Sequence, residues 1–322
     1  MKIQIVTPAP AESTLGNRIT AERWAKVLRH LGHRVSISQQ YDQQPVDLLV
    51  ALHARRSYSS IARFHRLYPD SPIVLALTGT DVYRDIHKSS RARESLALAD
   101  RIVVLQPHAL RELTLTQRKK AVVIYQSVKL PPALKKPSVK RASNHFDVCV
   151  VGHLRPVKDP FRAAWAARML PESSRIRIIQ VGSAMSKNME RRTRAEMRKN
   201  PRYVWQGALS RKRTLSLLAR SSVCVISSLM EGGANVLSEA IVVGTPVLAS
   251  RIAGNVGILG KNYPGLFRAG DTQKLMQLML RAETDREFLG NLRHHVRELA
   301  SLFEPERERI AWSNLLAGLA GL

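Results

Sequence analysis

Residues 225–250 run VISSLMEGGANVLSEAIVVGTPVLAS. The apolar run before Ser227–Ser228 is a short buried strand, and the stretch from about Ala234 has helical spacing. Between them lie Glu231, Gly232 and Gly233. Paired glycines let the backbone turn sharply and come close to a ligand. The first amides of the helix, around Gly233, Ala234, Asn235 and Val236, have no intrahelical acceptors. Together with the helix dipole they suit an anion, and a diphosphate in particular. Glu239 lies about a turn further in, where a carboxylate can accept hydrogen bonds from two vicinal hydroxyls such as those of a ribose. A helix start with an acidic residue favoured by the dipole would explain Glu239 alone. The whole E-G-G-x-N-x-x-x-E string, closed by G-T-P-V-L-A-S, is far more specific.

The same strand-turn-helix pattern extends in both directions. Toward the N-terminus it predicts strands KIQIV (2–6), RVSIS (34–38), VDLLVAL (46–52), PIVLALT (72–78), RIVVLQ (101–106) and AVVIY (121–125). Helices are predicted over 19–31, 59–68, 92–100 and HALRELTL (108–115). A second series runs from FDVCVVG (146–152) through RIRIIQVG, RYVWQG, VCVISS and PVLAS, with a final helical stretch over about 271–302. Short apolar strands alternating with helices are the signature of parallel sheets covered on both faces. The expected fold class is α/β: two doubly wound Rossmann-like domains whose ligand lies in a crevice beyond the carboxyl ends of the strands. Residues 1–127 form the first domain and 145–304 the second. Residues 128–144, rich in proline and lysine, form a linker. The last helix, 305–322, is expected to pack back on the first domain.

At 322 residues and 44% hydrophobic content, the chain is too long and too apolar for wholesale disorder. Its 51 Lys+Arg against 25 Asp+Glu leave a net charge of +26, spread over both halves. That excess suits anionic ligands, weak nucleic-acid contact or simply an arginine-rich proteome. Aromatics at 5% are too few for a base-stacking platform, and no nucleic-acid recognition motif is present. Cys149 and Cys224 sit in apolar runs and read as core residues, with no zinc spacing around them. The apolar part of MKIQIVTPAP is short for a signal peptide, and no run of about 18 apolar residues predicts a membrane span. A cytoplasmic location is therefore expected.

The stretch VCVVGHLRPVKDP (148–160) supplies the second half of the anion site. A strand ends at Gly152, and His153, Arg155 and Lys158 occupy the loop before the next helix. Fixed cations there would neutralise a diphosphate leaving group. Surface lysines and arginines are usually only solvated, so this segment gains its meaning from the 231–239 string.

With these residues the chain resembles the family 4 nucleotide-sugar glycosyltransferases of the two-domain GT-B fold, over nearly its whole length. TPAP…GNR, TAERWAKVLRHLGHRV, ALHARRSYSSI, LTGTDVYRDI, SLALADRIVVLQ, YQS and VGHLRPVKDP together resemble the selenosugar synthases of the selenoneine pathway. The resemblance implies a UDP-sugar donor (UDP-GlcNAc or UDP-glucose), selenophosphate as acceptor, and pathway enzymes that supply selenophosphate. It implies that Glu231 contacts the donor sugar, that Glu239 holds the ribose and that Lys158 holds the diphosphate, with Gly16 of the first loop joining the donor set. There are three departures. His153 stands where the family has an arginine, a charge Arg155 can supply. Thr78 replaces a histidine near the donor sugar. Tyr125-Gln126-Ser127 replaces Pro-Asn-Gly.

No D-x-D motif and no cluster with metal-ligand spacing appears in the sequence, so metal-independent transfer is expected. Glu231, Arg155 and Lys158 are the expected catalytic residues. A selenium nucleophile ionised at neutral pH needs little proton abstraction, in keeping with the lack of an obvious general base. A small, multiply charged acceptor needs cations and hydroxyls instead. Candidates are Asn17 and Arg18, Arg55 and Arg56, Thr78 and Thr80, and the wall Tyr125, Gln126 and Ser127. Asp81 could instead cap the helix after the TGTD turn, and His53 could equally be a packed loop residue. The competing functions are transfer to an ordinary sugar or lipid acceptor, nucleotide-sugar epimerisation, and ligand sensing without turnover.

Overall fold

Strand and helix alternate along nearly the whole computed structural model, which describes residues 1–134 and 144–319. The described residues fall into two units. The first takes those of Met1–Ser127, Glu231–Ala234 and Glu304–Leu322, and the second those of Val128–Met230 and Asn235–Phe303. Most of the expected linker, at 135–143, lies outside the described residues.

The first unit contains β1 (Lys2–Val6), α1 (Gly16–His30), β2 (Arg34–Ser38), β3 (Leu48–Leu52), α2 (Tyr58–Leu67), β4 (Ile73–Leu77), α3 (Ile86–Lys88), α4 (Ser90–Leu98), β5 (Arg101–Val104), α5 (Leu115–Lys119) and β6 (Ala121–Val123). The strands pair in parallel in the order β2-β1-β3-β4-β5-β6. Because side chains alternate along a strand, each strand feeds two cores. Leu49, Ala51, Leu75 and Leu77 pack with Ile61, Phe64 and Leu96 of α2 and α4. Leu48, Val50, Val74 and Ala76 face Trp24 and Leu28 of α1 together with Trp312 and Leu315. Residues of β3 and β4 are buried on both faces, which is why their sequences are continuously apolar.

The second unit continues with β7 (Phe146–Val151), α6 (Arg162–Ala167), β8 (Ile176–Val181), α7 (Lys187–Lys199), β9 (Tyr203–Trp205), α8 (Arg211–Arg220), β10 (Val223–Ile226), α9 (Asn235–Val242), β11 (Val247–Ser250), α10 (Ala253–Leu259), β12 (Leu266–Phe267), α11 (Thr272–Thr284) and α12 (Arg286–Glu298). Its parallel sheet has the order β12-β11-β10-β7-β8-β9. The order reverses between β7 and β10, the point at which doubly wound sheets open a ligand crevice beyond their carboxyl ends. Cys149 and Cys224 lie buried at that junction, in register with each other.

The chain ends on α13 (Pro305–Ala317), which packs within the first unit. The rings of Trp24 and Trp312 meet edge-on, their centroids 5.0 Å apart. Glu308, 2% exposed, is the polar centre of this contact. Its carboxylate accepts from the Trp24 indole N–H at 2.8 Å, from the Ser127 backbone N–H at 3.1 Å and from the Ser127 hydroxyl. The Arg23 guanidinium stands 3.3 Å away.

Four expectations are corrected. The first helix begins at Gly16 rather than 19, so Asn17 and Arg18 occupy a helical first turn instead of a loop. HALRELTL is not one helix: a 3-10 turn over Pro107–Glu112 breaks before α5, which Thr114 starts with a capping box. Beyond β11 the chain inserts α10 and the short edge strand β12. The stretch predicted as one helix over 271–302 is two, divided where Asp285 caps α12 by accepting the Phe288 N–H at 2.9 Å. Asp81 does not cap the start of its helical turn. It is fully buried and accepts from the Ala54 N–H at 3.0 Å and the Gly79 N–H at 2.8 Å, bracing the loops after β3 and β4 against each other.

Candidate active site

At the β7/β10 junction of the second unit lies a small recess, open to solvent. Gly152, Lys158, Gln180, Ser227, Ser228 and Val236 are among its lining residues. Local folding explains why Gly152 and Lys158 are there. Gly152 follows β7 directly, and its N–H donates to Val181 O at 2.8 Å. The loop after it is pressed onto the end of β8. A side chain at Gly182 would put its Cβ 2.0 Å from the Gly152 carbonyl oxygen, so only glycine admits this approach. Leu154 bridges to Ala184, and His153 Nδ1 accepts from the Ser183 N–H at 3.3 Å. Arg155 is exposed and starts a 3-10 turn, Pro156–Lys158. That turn is moored to the end of β10: the Ser227 hydroxyl donates to Asp159 O at 2.9 Å, and the Leu229 N–H donates to Val157 O at 2.8 Å. Lys158, half-buried, is thereby held beside the serines that follow β10 and near the start of α9.

Glu239 sits in the second turn of α9, its side chain 13% exposed, with Arg211 of α8 3.6 Å away. Several lining or supporting residues were absent from the residues expected from sequence, Gln180, Ser227, Ser228 and Asn255 among them. Gln180 is 1% exposed. Its Nε2 reaches toward Gly152 O at 3.5 Å, while its Oε1 meets no hydrogen-bond partner among the described residues. Asn255 of α10 donates to Ser250 O at 2.9 Å, and the Ser250 hydroxyl in turn donates to Ser228 O at 2.5 Å, bracing the loop that follows β10. The available signal was a polar residue inside an apolar segment (IRIIQVG and AGNVGIL), a pattern that core packing alone does not ask for.

Glu231, Gly232, Gly233 and Ala234 group with the first unit. A Cβ on Gly232 would lie 2.7 Å from the Gly79 nitrogen, so the glycine lets this strand of backbone touch the turn after β4. Thr78 follows β4, and its Oγ1 is buried with no hydrogen-bond partner among the described residues. Thr80 precedes a π-helical turn, Asp81–Asp85. The remaining acceptor candidates divide. Gly16, Asn17 and Arg18 form the first turn of α1, which carries no acidic residue, and Arg18 pairs with Glu22 at 2.8 Å. Arg55, 44% exposed, donates to Asp85 at 3.0 Å. Tyr125 is partly desolvated, which raises its phenol above the ordinary value and keeps it a donor. Gln126 and Ser127 are engaged internally: Gln126 donates to the Thr20 hydroxyl at 2.7 Å, and Ser127 binds Glu308.

Among the described residues, no group of three or more His, Cys, Asp and Glu is placed to hold a metal ion. No helix among them is long and apolar enough to cross a membrane.

Comparison with known proteins adds the family. Residues 133–301 match the sequence model of the family described as glycosyl transferases group 1. Glycosyltransferase 1 domain-containing protein 1 of Xenopus tropicalis is 24% identical over 260 residues, spanning 75% of this chain and 74% of that one. The crystal structure of Anabaena Alr3699/HepE in complex with UDP and glucose superposes with a TM-score of 0.77 at 17% identity, covering 99% of this chain and 100% of that one. Sucrose-phosphate synthase from Thermosynechococcus elongatus gives a TM-score of 0.78 at 17% identity, covering 99% of each chain. At these identities the likeness is one of fold, two Rossmann-like parallel sheets of the GT-B class.

Proposed function

Because this chain belongs to the group 1 glycosyl transferases, we propose that it moves a sugar from a UDP-sugar onto selenophosphate, as a selenosugar synthase. UDP-GlcNAc and UDP-glucose are the two candidate donors, and structures of Anabaena HepE hold UDP with glucose or UDP-glucose. The diphosphate lies in the recess of the second unit, on Lys158, the Gly152–Arg155 loop and the N-terminal end of α9. The ribose hydroxyls meet Glu239, and Glu231 meets the sugar. Selenium attacks the anomeric carbon. A carbon–selenium bond forms as the carbon–oxygen bond to UDP breaks. Water then cleaves the selenium–phosphorus bond, so that one UDP and one phosphate leave per selenosugar. Negative charge grows on the departing UDP, and Arg155, Lys158 and the helix end offset it without a metal ion.

The observation that supports this acceptor is Thr78. Its buried hydroxyl at the end of β4 has no hydrogen-bond partner among the described residues, so it can donate to a phosphoryl oxygen. A hydroxyl there supplies no base, and an ionised selenium nucleophile needs none. Arg55 and Arg56 follow β3, the sheet neighbour of β4, and Arg18 lies in the first turn of the helix that follows β1.

The test is incubation with each UDP-sugar and selenophosphate, reading UDP release and a selenium-bearing sugar by mass spectrometry. UDP and selenosugar in equal amounts, unchanged by EDTA, are expected. No selenosugar at high enzyme concentration rejects this acceptor in favour of an ordinary sugar or lipid one. Turnover of UDP-GlcNAc without any acceptor would mark an epimerase.

A further inference from the structure

His53 combines an unfavourable backbone conformation with an unsatisfied buried side-chain nitrogen. It follows β3 with φ +79°, a left-handed conformation that non-glycine residues seldom adopt and that persists where the surroundings enforce it. The ring is buried. Nδ1 accepts from the Arg56 N–H at 3.4 Å, which leaves the proton of the neutral ring on Nε2. Nε2 is buried and has no hydrogen-bond partner among the described residues. It lies 3.7 Å from Asp85 Oδ2, a distance too long for a hydrogen bond. That oxygen is already taken by the Arg55 guanidinium at 3.0 Å, while Arg84 holds the other carboxylate oxygen at 3.0 Å.

We propose that His53 is a positioning residue that takes over Asp85 when Arg55 turns to an anionic acceptor. The inference rests on the reading above, in which the acceptor carries a phosphoryl group and Arg55 binds it. Arg55 is nearly half exposed and free to swing outward, whereas the Asp85 side chain is 6% exposed and stays inside. A buried carboxylate that loses one of its two cations needs a replacement donor. The unpartnered Nε2–H faces the oxygen that Arg55 vacates, and a small ring rotation closes the gap.

The charges around the ring set the direction of the accompanying proton. Asp81 Oδ2 stands 4.0 Å from Nδ1, and Asp85 stands on the other side. Arg55 and Arg56 are the facing cations. Burial holds the imidazole below its ordinary value, the two arginines add to that, and the two aspartates oppose it. When Arg55 leaves, one depressing charge goes and Asp85 loses a competitor, so the ring gains proton affinity. Anion binding is thereby linked to proton uptake and strengthens as pH falls.

Two measurements test this. In NMR of histidine-labelled protein at neutral pH, with inorganic phosphate as the probe, phosphate is expected to move the His53 signals toward imidazolium. Arg55→Ala is expected to show that shift without phosphate. His53 signals indifferent to both would overturn the proposal. In kinetics, the selenophosphate KM of the wild type should rise with pH by up to about tenfold per unit more steeply than in His53→Asn, with kcat changed less than about twofold. Asparagine tolerates the left-handed backbone and does not titrate. Identical pH profiles with normal selenosugar formation would sink the exchange and leave the proposed function standing. A phosphate response without selenophosphate turnover would do the reverse.

Discussion

Replacing Glu308 by alanine should loosen the C-terminal helix from the first unit, and the size of the effect follows from what the carboxylate touches. Trp24, fully buried, would lose the acceptor of its indole N–H, and Ser127, 5% exposed, would lose the acceptor of its backbone N–H. Each buried donor left unsatisfied costs about 1–3 kcal/mol. Arg23, its side chain 11% exposed, would lose its counter-charge as well. Breaking a buried ion pair from one side typically costs about 3–5 kcal/mol, much of it the same desolvation counted above. A total of about 3–6 kcal/mol is expected. Of the four tryptophans, Trp24 and Trp312 lie at this contact, so fluorescence during urea unfolding reports on it. With a denaturant slope near 2 kcal/mol/M, the transition of the first unit should move down by roughly 1.5–3 M. Glu308→Gln keeps an acceptor for Trp24 and should lose about half as much. A shift below about 0.5 M in Glu308→Ala would refute the view that this carboxylate joins α13 to the sheet.

Lys158→Ala should lower kcat by about 10²–10³, the range for removing one charge-stabilising contact from a transition state, with a smaller change in uridine affinity. Glu239→Ala should raise the donor KM, whereas Arg18→Ala should spare UDP binding and raise the acceptor KM; calorimetry with UDP alongside steady-state kinetics separates them. Gly182→Ala should abolish donor binding or folding, because its Cβ would lie 2.0 Å from the Gly152 carbonyl oxygen, and wild-type UDP affinity would contradict the packing described. Burial lowers the His53 value in the folded state. Stability from this group is therefore present above its unfolded value, about 6.5, and is lost as pH falls below it, since the unfolded chain then binds a proton that the native one refuses. The thermal midpoint should drop between pH 7 and 5.5, and His53→Asn should remove that component.

The two parallel sheets were legible in the sequence because a strand covered on both faces must be apolar at every position, as in LLVAL and IVLAL, and because most strands are followed by a helical period. The E-G-G string and the VGHLRPVKDP loop were legible for a related reason: tight turns and helix starts are local, and their residue types betray them. Helix ends were less so. Nothing local marks Gly16 as the start of α1, since Leu15 offers no capping side chain. Ser127 shows the limit most clearly. In sequence it reads as part of the acceptor wall, yet its partner is Glu308, 181 positions away. His53 and Arg55 likewise meet Asp85 only because parallel pairing sets the ends of β3 and β4 side by side. Local propensity and hydrophobic period thus determined which elements form and where the backbone turns. Which polar groups are spent inside and which remain for a ligand was decided by tertiary packing, because a buried donor or acceptor takes its partner from whatever the fold brings within 3 Å.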